Sequence, residues 1–135
     1  MGTGLTTVAV RIANFADRTR AIDAEMLVDS GAIFSVVPGR ALEALGVEPE
    51  GTEQFFLADG TSLVRPVGTA FFEVAGKRGA SAVVFGEPDE VWLLGALTLQ
   101  SLGLMLDPLK RRLRPMRLVL LACTADPPAS QASSS

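Results

Sequence analysis

The chain has 135 residues, 12 basic against 15 acidic for a net charge of -3, and 48% of its residues are hydrophobic. That length and apolar content suit one domain with a packed core, and the mild acidity argues against a nucleic-acid binder that works by neutralising phosphates. His and Tyr are absent and Cys123 is the single cysteine. This excludes Ser-His-Asp and Cys-His catalysis, imidazole bases, a phenolic acid, an internal disulfide and a thiolate metal cluster. Carboxylates, hydroxyls, Lys and Arg remain, so a hydrolase written in this alphabet would use Asp or Glu.

No apolar run is long enough to cross a bilayer, and no basic stretch precedes an apolar one at the start. The expectation is a soluble, cytoplasmic protein without membrane partners. Met1-Gly2-Thr3-Gly4-Leu5-Thr6 fits the loose N-myristoylation pattern, but that pattern is short and runs straight into a strand.

In chain order, Thr6–Ile12 alternates and is β-branched, which predicts a strand. Residues 14–20 are polar and turn the chain. Ala21–Val28 predicts a second strand, alternating at first and apolar on both faces at its end. Asp29-Ser30-Gly31-Ala32 follows, and Ile33–Val37 leaves as a short strand stopped by Pro38. A carboxylate at the inner end of an apolar strand must be held by hydrogen bonds. Ser30 offers a hydroxyl, and Gly31 allows a tight turn. Taken alone, the tripeptide also fits an ordinary turn in which Asp29 caps its own backbone.

Arg40–Leu45 predicts a brief helix with Gly46 at its C-terminal cap, and residues 47–53 form a loop. Gln54–Ala58 is a strand, Asp59-Gly60 a hairpin signal, and Thr61–Val64 the return. Val67–Val74 continues extended, with a bulge or bend expected at Gly68. Residues 75–79 form a second hairpin turn before the strand Ser81–Phe85. Gly86–Glu90 is a polar loop, and Val91–Gly95 a buried strand. Ala96–Leu102 is a short helix capped by Gly103, followed by the strand Leu104–Asp107 and a turn over 109–112. Leu113–Leu121 is extended, with Pro115 at an edge. Residues 1–123 form one domain, and 124–135, rich in Ala, Pro and Ser, form a disordered tail. Many short strands and two short helices indicate an all-β barrel or sandwich.

Three features stand in one order: the apolar strand ending in Asp29-Ser30-Gly31-Ala32, the hairpin around Asp59-Gly60, and Leu93-Leu94-Gly95 before a short helix and Leu104-Met105-Leu106-Asp107-Pro108. Over residues 6–121 this order resembles the retropepsin-like aspartic proteases, specifically their small single-domain prokaryotic members. The resemblance implies a closed, barrel-like β fold carrying half a site per chain. It implies that Asp29 is catalytic and that Ser30, Gly31 and Ala32 support its loop. Ser stands at Ser30, where Thr is commoner in the family. Ala58, Asp59, Gly60 and Thr61 would form the tip of a flap, and Leu93, Leu94 and Gly95 would pack beside the catalytic loop.

The implied chemistry needs two carboxylates facing each other across a water, one as general base and one as acid. Carboxyls about 3 Å apart cannot both ionise and share a proton. One Asp-Ser-Gly per chain therefore demands a homodimer, a peptide or protein substrate, and no metal or organic cofactor. The alternative is a non-catalytic module that uses the same fold to dimerise or to hold a peptide. Trp92 and Phe55-Phe56 are expected in the core or a pocket wall, and Asp107 to end a strand. Lys110, Arg111, Arg112, Arg114 and Arg117 are expected on solvated hairpin faces, and Cys123 is expected to be inert.

Overall fold

A computed structural model describes residues 5–107 and 109–116. Residues 1–4 of the myristoylation pattern, the stretch 117–121 with Arg117, Cys123 and the proposed tail lie outside these residues.

The elements run β1 (Thr7–Asn14), β2 (Ala21–Val28), β3 (Ser35–Pro38), α1 (Gly39–Ala44), β4 (Gly51–Phe56), β5 (Ser62–Val74), β6 (Lys77–Gly86), β7 (Leu93–Leu94), α2 (Ala96–Ser101), β8 (Leu104–Asp107) and β9 (Arg112–Pro115). The structure is thus mostly β with two short helices. Seven strands form one sheet in the order β1-β2-β7-β3-β6-β5-β4, and β8 and β9 form a separate pair. A further antiparallel pairing of β1 with β5, from Arg11 opposite Glu73 to Asn14 opposite Ala70, brings the sheet back on itself. β4 is left hanging beside β5.

The alternation in β1 does what its pattern requires: Val10 and Ile12 are buried while Ala9 and Arg11 face out. They meet Met26 and Val28 of β2, Phe72 and Val74 of β5, Val83 and Phe85 of β6, and Leu42, Leu94, Leu99 and Leu104 in one core. Burying each such side chain contributes about 2 kcal/mol. Trp92 packs against this core, partly buried.

Local turn chemistry accounts for most boundaries. α1 ends as expected at Gly46, with φ +81°. The Gly46 amide donates to Glu43 O and the Val47 amide to Leu42 O, the paired bonds of a Schellman cap. The β5–β6 hairpin turns on only Ala75 and Gly76, both at positive φ, between the paired Val74 and Lys77. It is tighter than the five-residue turn expected.

Four expectations are corrected. β3 starts at Ser35 rather than Ile33, because the Ala32 and Ile33 carbonyls accept bonds from the start of α2. β4 starts at Gly51, within the expected loop. Nearly all of β4 is exposed, so it carries no apolar alternation to betray it. β5 runs unbroken through Pro66 and Gly68. Pro66 sits opposite Thr52 of the edge strand, where a missing donor is tolerated. Gly68 stays in register with Val83 and makes no bulge. A Cβ there would lie 2.7 Å from Glu48 O, so the glycine serves close backbone approach.

Candidate active site

β7 is two residues long, yet it organises the site. Leu93 and Leu94 run parallel to Leu27 and Val28 of β2, and Leu93 also pairs antiparallel with Val36 of β3. β7 therefore lies between the strand entering loop 29–34 and the strand leaving it. The Leu27 amide donates to Trp92 O at 2.9 Å, and the Asp29 amide donates to Leu94 O at 3.0 Å. From the other side the amides of Ala96 and Leu97 donate to the carbonyls of Ala32 (2.8 Å) and Ile33 (2.9 Å). Leu93, Leu94 and Gly95, which the resemblance implied would pack beside the Asp29 loop, lie next to it in the structure.

Gly95 has to be glycine. A Cβ on it would lie 2.5 Å from Phe34 O and 2.6 Å from Phe34 C, both backbone atoms. Within the loop, the Gly31 amide donates to Asp29 Oδ1 at 2.9 Å and the Ala32 amide to Asp29 O at 3.0 Å. A Cβ on Gly31 would lie 3.3 Å from that Oδ1. Asp29, Ser30 and Gly31 are exposed and Ala32 is half-buried in the single chain. The apolar strand end was expected to desolvate Asp29, but β2 ends at the surface and the carboxylate stands beyond it.

A cleft of about 750 Å³ opens beside this loop. Residues 31–34 form one wall, and residues 53–57 with Leu63 and Arg65 form the hairpin wall. Val36, Val84, Glu90, Val91 and Leu93 complete the lining. The rings of Phe34 and Phe55 meet edge to face across it, 5.6 Å apart at 87°. Phe55 and Phe56 are thus pocket wall, one of the two places expected for them. The hairpin tip is an exposed turn. Asp59 Oδ1 accepts from the Thr61 amide (2.9 Å) and the Thr61 hydroxyl (2.6 Å), and these bonds, the hydroxyl foremost, hold the Asp59 carboxyl below its ordinary pKa. Ala58, Asp59, Gly60 and Thr61 do not line the cleft; the arms of the hairpin do.

Two features escaped the sequence reading. Arg65, on the return arm of the hairpin, makes a two-pronged ion pair with Glu90 at 2.7 and 3.0 Å. The Arg65 bonds hold the Glu90 carboxyl below its usual range, and Glu90 in turn raises the guanidinium. Nothing in a polar Glu-Pro-Asp-Glu loop marks Glu90 as a cleft residue. The second is a buried chain of hydroxyls from Ser35, Thr98 and Ser81. Its only trace in sequence is a hydroxyl residue inside each of three apolar runs.

Elsewhere, Lys110, Arg111, Arg112 and Arg114 are exposed on the β8–β9 hairpin. The Asp107 carboxylate accepts from the Leu109 and Lys110 amides and closes the end of β8. Among the described residues, no three His, Cys, Asp or Glu lie together as a metal site, and no helix is long and apolar enough to cross a membrane.

No family model matches the chain, and no curated protein matches it. A solved structure does: the solution structure of the simian foamy virus (mac) protease is 22% identical with a TM-score of 0.51, over 70% of this chain and 92% of that one. At that identity the likeness is one of fold, and it fits the mostly β architecture with two short helices described above: this chain has a retropepsin-like fold.

Proposed function

We propose that this protein is an aspartic endopeptidase of the small single-domain kind, active as a homodimer. It would hydrolyse peptide bonds of extended polypeptide segments with a water activated by two Asp29 carboxylates, one from each copy. The observation that carries this reading is the placement of Asp29. Its backbone is clamped by β7, its carboxylate is exposed, and its loop continues directly into the wall of a large apolar cleft.

Each chain supplies a single Asp-Ser-Gly, so the pair of acids must form across a two-fold axis. The exposure of Asp29, Ser30 and Gly31 in one copy fits a loop whose partner is the same loop of another copy. There the Ser30 hydroxyl would brace the two loops. Bringing two carboxylates together makes them share a proton, so one takes the proton of the water while the other donates to the carbonyl oxygen. Activity would then favour the acidic side and report the pair, not either residue.

Ile33, Phe56, Leu57 and Val91 are large, apolar and exposed, and all four line the cleft. Such a patch marks a binding surface. An extended peptide would lie between loop 29–34 and the hairpin arms, with Ala58–Thr61 closing over it as a flap. The net charge of -3 fits a reading without a nucleic-acid partner, and the reading also includes a cytoplasmic location without a membrane partner.

The test is a peptide-library digest with the parent and Asp29→Asn, alongside sedimentation mass. We expect cleavage by a dimer and its loss in the variant, with folding retained. Equal cleavage by Asp29→Asn would refute the mechanism. Peptide binding by an inert parent would point to the non-catalytic module instead.

A further inference from the structure

Ser35 of β3, Thr98 of α2 and Ser81 of β6 are buried, the first two completely. Ser35 Oγ lies 2.5 Å from Thr98 Oγ1, which lies 2.9 Å from Ser81 Oγ. At one end the Gly95 amide donates to Ser35 Oγ at 2.9 Å, and at the other Ser81 Oγ donates to Ala82 O at 3.2 Å. Each hydroxyl has one proton to give, which determines the direction. Ser81 spends its proton on Ala82 O, so it accepts from Thr98. Thr98 then has none left for Ser35 and accepts from it. The chain runs one way, from Gly95 N–H through Ser35, Thr98 and Ser81 to the Ala82 carbonyl.

The head of this chain is the peptide group joining Leu94 to Gly95. The carbonyl of that same group accepts the Asp29 amide at 3.0 Å. One peptide plane therefore holds Asp29 on one side and is held by the hydroxyl chain on the other. Aligned hydrogen bonds polarise one another, so the chain makes Leu94 O a stronger acceptor while fixing its orientation.

We infer that Ser35, Thr98 and Ser81 form a relay that positions Asp29 through the Leu94–Gly95 peptide. The three are positioning residues and touch no substrate. A core that needed only to be filled would be served by Val at 98, which matches Thr in shape and carries no polar group to satisfy. The relay also ties loop 29–34 to β6, a strand of the main sheet that makes no direct pairing with β2 or β7. Its catalytic consequence rests on the aspartic-peptidase reading; its structural consequence does not.

The experiment compares the full chain with Thr98→Val and Thr98→Ser. Two readouts are needed: hydrogen exchange of the Asp29 amide, referenced to amides of the β1–β2 ladder, and kcat and KM on a cleaved peptide. In Thr98→Val the Ser35 hydroxyl loses its acceptor and the Leu94–Gly95 peptide is held less firmly, so the Asp29 amide should exchange roughly tenfold faster relative to that ladder. kcat should fall about as much with KM within about twofold, and Thr98→Ser should restore both. Should Thr98→Val fail to fold, Ser81→Ala breaks the far end of the relay and should move both readouts the same way by less. The inference is overturned if the Asp29 amide exchanges no faster relative to the ladder in the valine variant. It is equally overturned if the serine variant fails to restore it. A parent that cuts no peptide sinks the peptidase reading alone, because the exchange comparison still decides the relay.

Discussion

Two turns in this molecule are built from the same local device. In Asp29-Ser30-Gly31 and in Asp59-Gly60-Thr61, the aspartate Oδ1 accepts the backbone amide two residues on, at 2.9 Å in both. What surrounds them differs. The second turn closes on its own hairpin through Leu57 N–H to Thr61 O and Gly60 N–H to Leu57 O. The first is gripped from outside itself, by Leu94 O at Asp29 and by the amides of Ala96 and Leu97 at its exit. An Asx turn that hangs on its own strands can move as a tip. One bolted to a crossing strand and a helix holds a carboxylate in place.

That contrast is broken most decisively through the acids themselves. Asp29→Asn should lower peptide cleavage by roughly 10²-fold or more, the scale of a lost acid–base group. Asp59→Asn should stay within a few-fold of the parent in the same digest, because amide oxygen can still accept the Thr61 bonds. Equal losses would show that the two turns do not differ in role.

The glycines sharpen the difference in stability. Gly95→Ala places a methyl against immovable backbone of Phe34 and should destabilise by about 3 kcal/mol, at the upper end for overpacking. Gly60 has open space around it but φ +91°, so Gly60→Ala should cost about 1 kcal/mol, the conformational penalty alone. Urea unfolding of the two variants measures the ratio. If Gly60→Ala cost as much as Gly95→Ala, the hairpin tip would be as tightly packed as the Asp29 loop.

The smallest effect concerns the ion pair that ties the hairpin to the loop ahead of β7. Arg65 on the hairpin is only 15% exposed at its side chain, while Glu90 is 38% exposed, so solvent screens the pair in part. Glu90→Gln leaves the guanidinium without its counter-charge and should cost about 1 kcal/mol at neutral pH. The Glu90 carboxyl is depressed in the folded state. Its stabilisation is therefore complete above the ordinary carboxylate pKa and is lost as pH falls through the depressed native value. The gap in urea midpoint between parent and Glu90→Gln should accordingly close on acidification. A gap that widened would mean that Glu90 is not held ionised by Arg65.

Much of this was legible in the residues. β1 and β2 announce themselves by alternation, and Gly46 and the Asp59-Gly60 turn by their chemistry. Ser81 and Thr98 sit among apolar neighbours where a hydroxyl is out of place, yet nothing in the string says that they meet. β4 was half hidden, because an exposed edge strand has no apolar face to write. The pairing of Arg65 with Glu90 was invisible, since 25 residues separate them and each looks like a solvated charge.

The sequence by itself determined the strand-rich class, the exclusion of histidine and cysteine chemistry, and the Asp-Ser-Gly turn, because composition and local backbone preference act within a few residues. Only the tertiary structure decided which of two like turns is clamped and where the cleft opens. It also decided that one peptide plane joins Asp29 to a buried row of hydroxyls. Those outcomes depend on β7 passing between β2 and β3, a long-range pairing that no short stretch of the chain encodes.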